Sequence, residues 1–405
     1  MIHWVIHIVL LGILSLLFYR RFHADLPTWI YWTSLTLKLL AGIAVGLIFF
    51  HYYKMGDTIL FFHEAVEISS LPLGEYLTTL FSPSTYATSN QPRVLFFTKF
   101  LSFFTLITGN SYWLSSMYLS IISFFATWYF VITAAKSMPA NRPVIILSFL
   151  FLPTVVFWSS GILKDSLAFS ALVFLVAIVV KRYFQHKIQL FDWLFAAVGL
   201  FLLFKVKHYL LISLILFIGI LLFTNFMSMK STKHRALAMV VAIVAFTATQ
   251  FIHPYLRLER LNLTLYETNQ AILAKSTDEN KLSVVIDAPT FLAIAQATPI
   301  AMQTGLFRPS IFDHSTVWGW FHRIENTILA LLFTMSIILL IRGRANVDIP
   351  IVFSGCLIII ILATLLALAT PNFGTLVRYK NAFMPFIFLL CGILPYHHFT
   401  SKRAS

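Results

Sequence analysis

The sequence predicts an all-α protein, a polytopic transmembrane helical bundle of about eleven spans with interfacial helices on its outer face. Three observations predict it. Hydrophobic residues make up 59% of the 405 and charged residues 11%, against about 25% charge in a soluble domain. Apolar runs of near-span length recur along the whole chain. The charge between those runs is uneven, fourteen bases with three acids on one side of a membrane against fourteen bases with twelve acids on the other, which marks the first as the cytoplasmic side.

Those runs are 2–19, 30–50, 112–134, 143–158, 165–180, 189–204, 209–224, 236–252, 324–341, 349–368 and 382–395. A span takes about 20 residues, so several of these need flanking residues or a thin bilayer. The first is followed by Arg20-Arg21, which reads as an uncleaved span rather than a cleavable signal peptide. Charge decides the short segment 94–108. If it lies in the interface, fourteen bases fall on one side, among them Arg20, Arg21, Lys136, Arg142, Lys181, Arg182, Lys187, Lys402 and Arg403. Only Asp25, Asp192 and Asp348 accompany them. If it crosses, that bias collapses. The expected topology is therefore a multi-pass protein of the cytoplasmic (inner) membrane, with its N-terminus outside and its C-terminus in the cytoplasm. Residues 1–405 read as a single transmembrane domain. Two outside loops are long: 51–111, with interfacial helices, and 253–323, in which Phe291 to Phe307 with Pro299 reads as another.

Composition also excludes classes. The formal charge is +14, but the bases are spread through short loops, which argues against nucleic acid. Cys356 and Cys391 lie in apolar runs and read as packing residues. There is no P-loop, no His-Glu-x-x-His zinc helix and no Gly-x-Ser-x-Gly turn. No cofactor is assigned, and no metal site.

The outside face collects the unusual residues. Lys164, Lys205, Lys207, Arg378 and Lys380 occupy short outside loops, where bases should be scarce. Either they snorkel to lipid headgroups and pair with acids, or they meet an anionic ligand such as a lipid-linked phosphate. His208 and Arg308 join them as candidate substrate contacts. In Gly56-Asp57-Thr58-Ile59-Leu60-Phe61-Phe62-His63-Glu64, a helix starting after Gly56 puts Asp57 and Glu64 on one face. Asp57 is then either a helix-capping acid or a general base that takes a proton from an acceptor hydroxyl. In Phe157 to Ser166, Lys164 and Asp165 either pair and cap the next helix, or Lys164 meets a phosphate while Asp165 orients it. The aromatics of Trp318-Gly319-Trp320-Phe321-His322 form an interface belt or stack on a sugar. Lys38, inside a span, marks function or snorkels to the cytoplasmic side.

This layout resembles the GT-C superfamily of membrane glycosyltransferases. Span 30–50 is followed by Gly56-Asp57, an interfacial pair, then Gly109-Asn110-Ser111-Tyr112 and span 112–134. Val377-Arg378-Tyr379-Lys380 before Pro385 is similar to the basic motif that often precedes the last span of such enzymes. The resemblance implies a polyprenyl-phosphate-linked sugar as donor, a glycan, lipid or protein acceptor, and a catalytic Asp that maps to Asp57. The chain departs from the pattern in its extra first span and in showing one clear acid, with Glu64 a distant second. An O-antigen polymerase or ligase type of enzyme is the alternative, with Arg308, Arg378 and His314 as its candidates. A lipid-linked glycan transporter ranks third, since no internal repeat is evident.

Overall fold

The computed structural model describes residues 2–23, 25–54, 56–82, 92–229, 258–313, 319–343 and 348–404. Its described elements are all helical, and one isolated antiparallel bridge joins Lys281 to Asn372. Among the described residues seven helices are long and apolar enough to cross a membrane, or eight if one bent pair counts as a span, so the chain is a multi-pass membrane protein. The chain divides into two compact units, 1–212 and 213–405.

In the first unit α1 (Ile2–Arg21) and α2 (Thr28–Leu47) are the two expected leading spans, α2 running on through a π-helical turn to Tyr53. Arg20 and Arg21 close α1 at the end where cations suit the helix dipole. The outer loop forms α3 (Asp57–Ser69), α4 (Leu73–Phe81) and α5 (Pro92–Ile107). At 16 residues, α5 is shorter than the span length of about 20. α6 (Tyr112–Ser137) is the central helix, packed on α1, α2 and α5. It presents small polar residues to α2, which lets membrane helices approach closely. Ser116 donates to the Gly42 carbonyl at 2.9 Å, and a Cβ on Gly42 would stand 2.3 Å from Ser120 Oγ.

One expected span comes out differently. The run 143–158 is broken into α7 (Arg142–Ile146), a π-helical turn to Phe151 and α8 (Pro153–Trp158). Pro153 lacks an N–H and clashes with the preceding turn, so the helix must restart there. The turn expected at 205–208 is a kink: Lys207 (φ −145°, ψ 72°) leaves helical geometry and parts α10 (Leu190–Met229) into two helical segments, before and after it. Between α8 and α10 lies α9 (Lys164–Tyr183), buried against α6. The expected span 236–252 and bases Lys230, Lys233, Arg235 and Arg344 lie outside the described residues.

The second unit holds α11 (Leu258–Lys275), α12 (Phe291–Phe307), α13 (Trp320–Ile341), α14 (Ile349–Ala369), α15 (Phe373–Lys380) and α16 (Met384–Ala404). α15 and α16 meet at 66° and form the bent pair. Residues 258–307 are tied down by backbone recognition. Asn269 donates to the carbonyls of Val284 and Leu368 and accepts from Ile286 N–H. α12 runs through Pro299 and lies along α14. Gly305 permits this, since a Cβ there would be 2.1 Å from the Ala363 carbonyl oxygen.

Candidate functional site

In the first unit Asp57 opens α3 and is half-buried. The chain on either side of it is anchored. Gly56 has φ +144° and sits where a Cβ would meet the Phe49 ring at 2.7 Å. Thr58 is fully buried and shares a 2.8 Å hydrogen bond with the Tyr112 hydroxyl. Ile59 packs on the cluster of Val45, Phe49 and Leu163. Four residues on, Phe61 lies on the same helix face as Asp57, and the Lys164 ammonium stands 4.6 Å from the Phe61 ring centroid. A carboxylate and a cation are thereby brought to one face of α3 from chain segments a hundred residues apart. Glu64 is only 3% exposed.

Asp165 and Lys207 are both buried, and they form an ion pair. The sequence suggested that Asp165 pairs with its neighbour Lys164 or orients it on a phosphate. Asp165 is ion-paired with Lys207, whose departure from helical geometry accompanies the pair. Lys205 and His208 are exposed on either side of that break, with Lys205 over the Phe201 ring at 5.8 Å. Lys38 does not snorkel. It is 5% exposed, donates to Ser159 Oγ and lies 5.7 Å from the Phe169 ring centroid. No carboxylate pairs with it among the described residues, which include every Asp and Glu of the chain.

In the second unit Lys380 is a buried junction. Its ammonium donates to the carbonyls of Leu306 (3.0 Å) and Arg308 (2.9 Å) and to Asn326 Oδ1 (3.0 Å). A lysine has three donors, so all are taken by the protein itself. Arg308 is likewise engaged: its Nε reaches both carboxylate oxygens of Asp313 at 3.1 Å, and its Nη2 bonds Oδ1. Burial raises the Asp313 pKa, but the hydrogen bonds from Arg308 and Ser310 outweigh it and hold the carboxyl below its usual range. Arg378 is half-buried on α15. His314 and Trp318 lie outside the described residues.

Two participants have no counterpart among the sequence candidates. Asn326 joins Lys380 to the Pro309 carbonyl, which it reaches at 2.9 Å. Arg323 is 6% exposed in the first turn of α13. Its signal was a base immediately before an apolar run, where a boundary drawn at 324 assigned it to the loop. No family model, curated protein or solved structure matches the chain.

Proposed function

We propose that the protein is a membrane glycosyltransferase that moves a sugar from a polyprenyl-phosphate carrier to a glycan, lipid or protein acceptor at the outer face of the cytoplasmic membrane. The observation that carries this reading is the half-exposed Asp57 carboxylate, fixed between the anchored residues Gly56 and Thr58, on the helix face that also meets Lys164.

Transfer needs both groups. Asp57 accepts the proton of the acceptor hydroxyl as its oxygen attacks the anomeric carbon. The bond from that carbon to the phosphate oxygen breaks, and the leaving phosphate takes the electron pair. A cation beside the leaving group stabilises that charge, and Lys164 fills this role. Asp57 serves as the base rather than Glu64, because Glu64 is buried.

Asp57→Asn tests the reading. It removes the proton acceptor and keeps the size of the side chain. Transfer of a labelled sugar from a polyprenyl-phosphate donor in proteoliposomes is expected to fall about 10²-fold or more, the contribution of a general base, with the melting temperature preserved. Near-normal transfer by the well-folded variant would refute the assignment. Loss with Arg308→Ala instead would favour a polymerase or ligase, and carrier movement without transfer in every variant would favour a transporter.

A further inference from the structure

The charges of the second unit's buried junction do not balance. Arg308 is matched by Asp313. Lys380 lies within Coulombic reach of the buried Glu325. Arg323 is left over. Its Nε is buried without a hydrogen-bond partner, and its guanidinium carbon lies 5.0 Å from the Trp320 ring centroid. No hydrogen bond or ion pair ties its guanidinium among the described residues, and those include all fifteen Asp and Glu of the chain.

Arginine cannot escape by losing a proton, and burying an unpaired permanent charge is strongly unfavourable. Its position makes matters worse. Contact with Trp320 turns the guanidinium back toward the first residue of α13, where the unsatisfied N–H groups already give the helix end partial positive charge. Asn326, one turn on and on the same face, holds the Lys380 ammonium at 3.0 Å. A cation, a helix N-terminus and a flanking indole together make a receptor for an anion that is partly apolar around its charge.

We propose that Arg323 is the centre of an anion-binding site at the head of α13 that takes a phosphate group, presented by a lipid or free in solution. The site belongs to the second unit and does not depend on the transferase reading, since it requires neither a sugar nor Asp57.

The test uses the full chain in phosphatidylcholine nanodiscs with two probes, inorganic phosphate and dihexanoyl phosphatidic acid, measured by calorimetry. Saturable binding by the wild type is expected, weakened about 10- to 150-fold in Arg323→Gln. Binding of phosphatidic acid alone assigns a lipid phosphate; binding of both assigns a phosphate that can also arrive free. Without either probe, Arg323→Gln should melt at or above the wild type, because it removes an uncompensated charge. The proposal is overturned if neither probe saturates the wild type or if Arg323→Gln binds both equally well. A probe-free Arg323→Gln that melts well below the wild type also overturns it, since Arg323 would then already be paired within the protein.

Discussion

Lys380→Met is the sharpest test of how the second unit is held together. The substitution keeps an unbranched side chain of similar length and removes the charge and all three donors. Three oxygens then lose their partner inside the fold: the carbonyls of Leu306 and Arg308 and the amide oxygen of Asn326. A hydrogen bond from a charged donor contributes about 1.5–3 kcal/mol, but three bonds to one ammonium do not add. Breaking a buried charged cluster from one side costs about 3–5 kcal/mol, and that is the magnitude expected. For a body the size of residues 213–405, each kcal/mol moves the melting temperature by about 2–4 °C, so the midpoint should fall by about 6–20 °C. The assay is thermal unfolding of purified protein in detergent, with Lys205→Met as control. Lys205 is exposed, and a surface change of that kind should stay within about 0.5 kcal/mol. If Lys380→Met melts with the wild type yet loses affinity for a polyprenyl phosphate, Lys380 is a ligand-binding residue and its structural role is refuted.

Further predictions concern other contacts. Gly305→Ala should destabilise by about 1–3 kcal/mol by overpacking, because its Cβ meets backbone oxygen at Ala363; a chemical or thermal melt reads this directly. Asp165→Asn strands the Lys207 charge in a buried position, so the loss should be about 3–5 kcal/mol, and Asp165→Asn/Lys207→Met should recover part of it. The Asp313 carboxyl is held below its usual pKa, so its contribution to stability is complete above its unfolded value of about 3.9 and fades as pH falls through the folded value. The gap in melting temperature between wild type and Asp313→Asn should therefore be constant from about pH 5 to 8 and narrow below about pH 4; a gap that shrinks near pH 7 would contradict the pairing with Arg308.

The spans were legible because lipid imposes a crude rule, length and apolarity, that needs no knowledge of partners. Thus Ile2–Arg21, Tyr112–Ser137 and Ile349–Ala369 emerge close to where apolar runs place them. The rule failed where one residue overrode it. Pro153 breaks a run that is apolar enough to cross. The candidate sites were legible as residue types but not as partnerships. Lys164 and Asp165 are adjacent, which suggested a pair, and nothing in that spacing announced that the fold delivers Lys207 to Asp165 from 42 residues away. Lys380 finds its acceptors 54 to 74 residues away. Such distances are set by tertiary packing, so local spacing carries no trace of them. Arg323 was missed for a related reason: a base at the edge of an apolar run looks like an ordinary loop residue until its burial is known.

The bond from Lys38 to Ser159 has a consequence for how the chain is made. A lysine at the centre of a span costs roughly 2.5–3.5 kcal/mol on insertion, and α2 must enter the bilayer before the residue that receives its ammonium exists. The two are separated by 121 positions. At about 5–20 residues per second of synthesis, the charge waits roughly 6–24 s for its acceptor. During that interval α2 is an apolar helix carrying an unmet cation, retained in the membrane by the rest of its length. Nascent chains arrested before the α8–α9 turn should therefore expose Lys38 to amine-reactive reagents, and chains arrested well after α9 should protect it.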